Sequence, residues 1–78
     1  MYIGVKDVKP LKDYKLLLEF ENGKRKIFDI TPYLEIGAFK ALRDEKLFNS
    51  VKVSFDAIEW DNHLDLDPEI LYTKAKEI

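Results

Sequence analysis

At 78 residues the chain has room for one domain, and an apolar share of 46% with five Phe, four Tyr and one Trp excludes a disordered polypeptide. Charged residues make up 36% and the formal net charge is −2, with a small basic excess over residues 1–40 and an acidic one over 41–78; neither half carries the strongly clustered positive charge of a nucleic-acid footprint. The absence of cysteine excludes disulfides, thiolate metal sites and cysteine nucleophiles. No apolar run approaches the ~20 residues needed to cross a bilayer. The segment Met1 to Pro10 carries Lys6, Asp7 and Lys9 where a signal peptide would have its apolar core. The expectation is a complete, soluble, cytoplasmic product with no membrane contact.

Residues 2–9 (Tyr2, Ile3, Val5, Val8) read as a first strand ended by Pro10, followed by a polar turn at Lys12-Asp13. Tyr14, Leu16, Leu18 and Phe20 alternate, the period of a half-buried strand. Glu21-Asn22-Gly23-Lys24 is a tight hairpin turn, and the return strand runs from Lys24 to Ile30. A two-residue Asn-Gly loop would place Leu16, Leu18 and Phe20 on the face of Arg25, Ile27 and Asp29. A three-residue loop, Glu21 to Gly23 with Gly23 left-handed, sets them with Phe28 and Ile30, and pairs Leu17 with Ile27 and Glu19 with Arg25. The second choice separates apolar from polar better, so it is preferred.

Thr31-Pro32 predicts a helix start, with Thr as the cap and Pro in the first position. Gly37 breaks that turn, Ala38 to Arg43 forms a short helix with Phe39 and Leu42 on one side, and Leu47 and Phe48 make a further inward turn. Val51, Val53 and Phe55 alternate, then Ile58 and Trp60 resume after Asp56-Ala57, which predicts a second hairpin; Leu64 and Leu66 suggest a brief strand after it. Asp67-Pro68-Glu69 opens a final helix whose apolar stripe is Leu71, Ala75 and Ile78. The pattern is α+β: one small domain over residues 1–78, antiparallel hairpins totalling five to six short strands, short helices and a C-terminal helix.

Few residues suit chemistry. A Ser/His/Asp arrangement would need Ser50 or Ser54 with His63, and no positioning motif accompanies either serine. Asp61, His63, Asp65 and Asp67 occupy alternate positions, so an extended backbone would project all four to one face, where oxygens and one imidazole suit a divalent metal. Against that, the glycine and glutamate of an EF-hand loop are replaced by Leu66 and Tyr72, there is no second histidine, and Asp67 is accounted for as a helix cap. A solvated outer face is the better account, and no catalytic residue, cofactor or metal is expected. Lys24, Arg25 and Lys26 form a basic patch at the first hairpin, but three charges neutralise too few phosphates, and cross-strand pairing with neighbouring glutamates explains them.

Trp60 invites a partner if it closes an edge strand and leaves its indole half exposed; filling the core under the last helix is the commoner role for a lone Trp. With Asp61, Asn62, His63 and Asp65 it defines a candidate interaction surface. The acidic rim of Asp56, Glu59, Asp61 and Asp65 would suit a basic protein.

The ordered set Leu16-x-Leu18-x-Phe20 with Asn22-Gly23, Phe28-Asp29-Ile30-x-Pro32-Tyr33-Leu34, Gly37-Ala38-Phe39 with Leu42 and Asp44, Phe48, Val51-x-Val53, Ile58-x-Trp60-x-Asn62 and Leu64-Asp65-Leu66-x-Pro68-Glu69-x-Leu71-Tyr72 resembles the prokaryotic family of unknown function DUF2442 over about residues 3–72. Where related proteins commonly carry Asn-Gly after the Trp, this chain has Asn62-His63, which removes the residue that makes a left-handed turn cheap, although Asn62 can itself visit that region. The resemblance implies a small α+β domain, free-standing in bacteria or archaea, some of whose relatives look like halves of two-gene modules in the manner of toxin–antitoxin pairs. It supplies no catalytic residues. The expected function is therefore a non-enzymatic protein-interaction domain, the antitoxin-like or regulatory member of such a module, meeting a small protein partner or a second copy of itself through an open sheet edge. The alternatives are a nucleic-acid-binding accessory protein using the first hairpin and a metal-dependent enzyme around Asp61, His63 and Asp65.

Overall fold

The computed structural model describes residues 3–78. Its first unit is built by β1 (Val5–Leu11), β2 (Lys15–Phe20) and β3 (Arg25–Asp29). The alternation in β2 does what its period demands: Leu16, Leu18 and Phe20 are all buried, and Leu17 and Glu19 turn outward. Gly23 closes the following loop at φ +85°, where its lack of Cβ makes the left-handed region free. The Gly23 N–H donates to the Phe20 carbonyl (2.9 Å), and the Phe20 N–H donates to that of Lys24 (2.9 Å). Asn22 Oδ1 accepts from the Lys24 N–H at 3.1 Å. Leu16 faces Phe28, Leu17 faces Ile27 and Glu19 faces Arg25, the register of the three-residue loop.

The first strand lasts longer than expected. Tyr2 lies outside the described residues, and the strand continues through Pro10 to Leu11. Proline is tolerated there because β1 is the edge of its sheet and needs no outward N–H. A bulge between Val5 and Asp7 lets Val5 and Val8, three apart, both reach the core.

Between the two hairpins the chain packs in tight turns. Two 3-10 segments, Thr31–Tyr33 and Gly37–Arg43, precede the single turn α1 (Glu45–Phe48). The first is held by Asp29, not by Thr31 as cap: the Asp29 carboxylate accepts from the Thr31 N–H (3.0 Å) and from its hydroxyl. Asp44 caps α1 through the Lys46 N–H at 3.1 Å. Leu34, Leu42 and Phe48 are the buried residues these turns contribute.

A second sheet, ordered β4-β5-β6, comprises β4 (Lys52–Ser54), β5 (Ala57–Glu59) and β6 (Asp65–Leu66). The final helix α2 (Pro68–Lys74) begins as predicted, Asp67 accepting from the Glu69 N–H at 2.8 Å. It ends sooner. Ala75 is extended, and β7 (Lys76–Glu77) pairs with β3, setting Glu77 against Lys26 and Lys76 against Ile27. The first sheet thus has the order β1-β2-β3-β7, and the described residues form seven strands, one more than the upper count expected. The unpaired backbone of β3 accounts for the change, since ladder hydrogen bonds there replace one more exposed helical turn. Ile78, expected on the apolar stripe of the helix, is 76% exposed.

Both sheets share one core, which holds Leu16, Leu18, Phe20, Ile30, Ile58, Leu71 and, at its centre, Trp60. No helix among the described residues is long and apolar enough to cross a membrane.

Two expectations follow. A Cβ at Gly4 would lie 2.8 Å from Cβ of Asp56 in the β4–β5 turn. Gly4→Ala should therefore cost about 1–3 kcal/mol in denaturant unfolding, and most of that loss should vanish in a Gly4→Ala, Asp56→Gly double variant; additive losses would mean the contact is not limiting. The Asp29 carboxyl is held below the usual aspartate range, chiefly by the Thr31 hydroxyl against the opposing effect of partial burial, with the Thr31 N–H, Lys15 and Lys76 assisting. A depressed carboxyl stabilises the fold above its unfolded pKa and ceases to do so as pH falls through the acid range. Thr31→Val should flatten that acid limb of the stability curve, and an unaltered limb would remove Asp29 as its source.

Candidate functional site

The β4–β5 connection is a two-residue loop, because Ser54 pairs with Ala57 and only Phe55 and Asp56 lie between. Both residues have positive φ, 49° and 68°, the combination of a type I′ turn. That turn matches strand twist and normally takes Asn-Gly; an aromatic side chain in the left-handed region costs about 1–2 kcal/mol. Phe55 is nonetheless 98% exposed, so no burial within the chain offsets the strain. The turn is firmly held: the Val5 N–H donates to the Asp56 carbonyl at 2.8 Å, and the Asp56 side chain lies against Gly4. A hollow of about 320 Å³ beside Phe55 is lined by Ser54, Ala57, Glu59 and Asp65. Asp56, Glu59 and Asp65 make this tip acidic, with Lys52 across from Glu59 as the one cation on the β4–β5 ladder.

Trp60 takes the core role that is commoner for a lone Trp, so the conditional anchor at Trp60 falls away and the exposed aromatic of this half is Phe55. Trp60 is 0% exposed and its indole N–H donates to the Phe48 carbonyl at 3.1 Å, so it fixes α1 over the second sheet and presents nothing to a partner. The turn expected at Asp56-Ala57 lies one residue earlier, at Phe55-Asp56, and that shift is what puts Phe55 at the tip. The usable signal was the spacing of Val53 and Ile58: if both face inward across a hairpin, the loop must be Phe55-Asp56.

Asp61, Asn62 and His63 form the next loop, and Asp65 lies on the outer face of β6. This loop repeats the hydrogen bonds of the first hairpin. The His63 N–H donates to the Trp60 carbonyl (2.9 Å), the Trp60 N–H to that of Leu64 (2.8 Å), and the Leu64 N–H to Asn62 Oδ1 (3.1 Å). His63 holds the left-handed position, φ 69°, that Gly23 holds in the other loop. The left-handed turn survives the departure from Asn-Gly, and it is His63, not Asn62, that adopts it. Because Asp61 to His63 turn instead of extending, the alternate spacing does not bring them with Asp65 and Asp67 to one face. Asp67 caps α2, and His63 Nδ1 stands 3.4 Å from Glu59 Oε2. Among the described residues no three metal-ligating side chains gather.

The basic patch is also divided. Lys26 faces the core, opposite Leu18, and is only 7% exposed. Its Nζ donates to the Tyr72 carbonyl (2.5 Å) and lies 3.8 Å from the centre of the Tyr72 ring. Lys24 pairs with Glu77 at 2.9 Å; that contact raises the lysine pKa and lowers the glutamate's. Lys24 and Arg25 keep the outward, solvated role expected of them, and Lys26 does not. Ser50 is used locally, donating to the Leu47 carbonyl (2.5 Å) and accepting from the Asp61 N–H (3.1 Å).

A second surface feature escaped the sequence reading because β7 did. Where β7 joins β3, Ile27, Phe28, Tyr33 and Ile78 line an apolar groove of about 530 Å³. Lys15, Lys74 and Lys76 stand on its rim; of its two acids, Glu77 is paired with Lys24 and Asp29 is engaged with Thr31.

If His63 bears conformational strain for no local return, His63→Gly should raise stability by about 0.5–1 kcal/mol and shift the melting temperature upward by a few degrees. A lower melting temperature would show that the imidazole has a stabilising contact worth more than the backbone relief.

The chain matches, over residues 5–77, the model of a family described as a protein of unknown function, DUF2442. No curated protein and no solved structure matches it. Nearly the whole described fold, from the first strand to the last, lies inside that match, and the chain belongs to the DUF2442 family.

Proposed function

We propose that this chain is a prokaryotic, cytoplasmic, non-enzymatic protein-interaction domain whose anchor is Phe55. One observation carries the reading: a large aromatic side chain is held fully in solvent on a left-handed backbone. Such strain is kept at sites that use it, and a Phe presented by a rigid turn loses little entropy when it enters a partner's pocket. The acidic tip around it favours a basic surface and would steer association more than it deepens affinity. The remaining polar side chains support a non-catalytic role through their local duties: Asp29, Asp44 and Asp67 cap turns, Ser50 bridges a loop, and Lys26 docks the last helix.

Phe55→Asn separates this reading from a purely structural one, because Asn suits the left-handed turn. Alone or co-expressed with the product of the adjacent gene, the parent chain is expected to purify as a complex larger than a monomer. The variant should lose that complex, or self-association if the partner is a second copy, while melting at an equal or higher temperature. Purification of free monomer alone, or a complex indifferent to Phe55, would overturn the proposal.

A further inference from the structure

We infer that the partner of the Phe55 turn is a second copy of this chain, whose lysine-rimmed groove between β3 and β7 receives the ring. The inference rests on Phe55 being an interaction anchor and adds its occupant. The two surfaces are complementary in shape and chemistry. One is a protruding aromatic; the other is an apolar groove of about 530 Å³ lined by Ile27, Phe28, Tyr33 and Ile78. Their charges are opposite as well. Asp56 adjoins Phe55 in the turn and Glu59 and Asp65 line the hollow beside it, whereas Lys15, Lys74 and Lys76 line the groove and outnumber its acids, Asp29 and Glu77. Ile78, left 76% exposed by the early end of α2, is covered when the ring enters.

A chain cannot fill its own groove. The turn is tied to the first residue of β1 through the Val5 N–H, and β1 and β7 are the opposite edges of the four-stranded sheet. The contact therefore joins copies head to tail, each offering its turn to the next, and yields short chains or a closed ring. A single aromatic in a shallow groove is a small interface, so association is weak and sensitive to salt.

Sedimentation of the full chain across a concentration series tests this. The parent chain should form species larger than a monomer that grow with concentration and shrink with added salt. Phe55→Ser, with Phe55→Asn as a second variant in case the first folds poorly, should weaken association about tenfold or more. A Lys74→Glu, Lys76→Glu variant should do the same from the groove side, with circular dichroism melts confirming that each variant folds. Mixed together, a turn-defective and a groove-defective chain each retain the half the other lacks, so they should form a dimer that grows no further. A parent chain monomeric at every concentration, while Phe55 still governs a complex with another protein, would overturn the second-copy assignment and leave the anchor standing. Association that persists in both Phe55 variants would overturn both.

Discussion

Gly23 sits at φ +85° between two strands whose side chains would all change face if the loop gained or lost a residue. That left-handed residue fixes the register in which Leu16 meets Phe28 and Leu18 meets Lys26. From the first pairing comes the apolar layer against which Trp60, Ile58 and Leu71 pack. From the second comes a lysine pointing into the core side of the sheet, and the C-terminal helix is arranged around it. The Lys26 stem is buried with the apolar layer, and its Nζ meets the Tyr72 carbonyl and ring, while the same ring packs edge-on to Phe20 with centroids 4.9 Å apart. Once Tyr72 is seated, the chain leaving α2 is placed beside β3, and β7 completes the sheet.

The short connections that this arrangement requires place five of the described non-glycine residues at positive φ: Asp13, Tyr14, Phe55, Asp56 and His63. They differ in what the fold returns. Tyr14 donates its hydroxyl to the Arg43 carbonyl at 2.5 Å and packs edge-on to Phe48. Asp56 accepts the Val5 N–H and fills the space above Gly4. His63 gains a distant contact with Glu59, and Phe55 buries nothing. Inference from strain to use runs only where an outlier is observed and no internal compensation accompanies it. Asp13 also lacks a compensating contact, but aspartate visits the left-handed region routinely; among the residues for which that region is costly, the condition selects Phe55.

The interaction reading also fits where the charges stand. The basic run that looked like a hairpin patch is divided by the fold: Lys26 goes inward, while Lys24, paired with Glu77, and Arg25 stay at the surface. The cations that remain together are instead Lys15, Lys74 and Lys76, brought to one groove from β2, α2 and β7. The acids that remain together, Asp56, Glu59 and Asp65, come from the second hairpin and its neighbouring strand. The acidic grouping follows the rim legible along residues 56–65, whereas the lysine grouping does not exist along the chain and is made by strand pairing.

What the sequence determined by itself was local or periodic. The alternation of Leu16, Leu18 and Phe20, the Asn22-Gly23 turn with its register, the cap at Asp67 and the α+β class all follow from side-chain period and turn stereochemistry, which act over a few residues. Tertiary structure decided the rest, because those outcomes depend on partners far away in the chain. Trp60 went inward because Phe48 supplied both a carbonyl and a surface; Lys26 went inward because Tyr72 could receive its charge; residues 76–77 became a strand because β3 had an open edge. Phe55 went outward because a two-residue loop at Ser54–Ala57 leaves its side chain nowhere else to go.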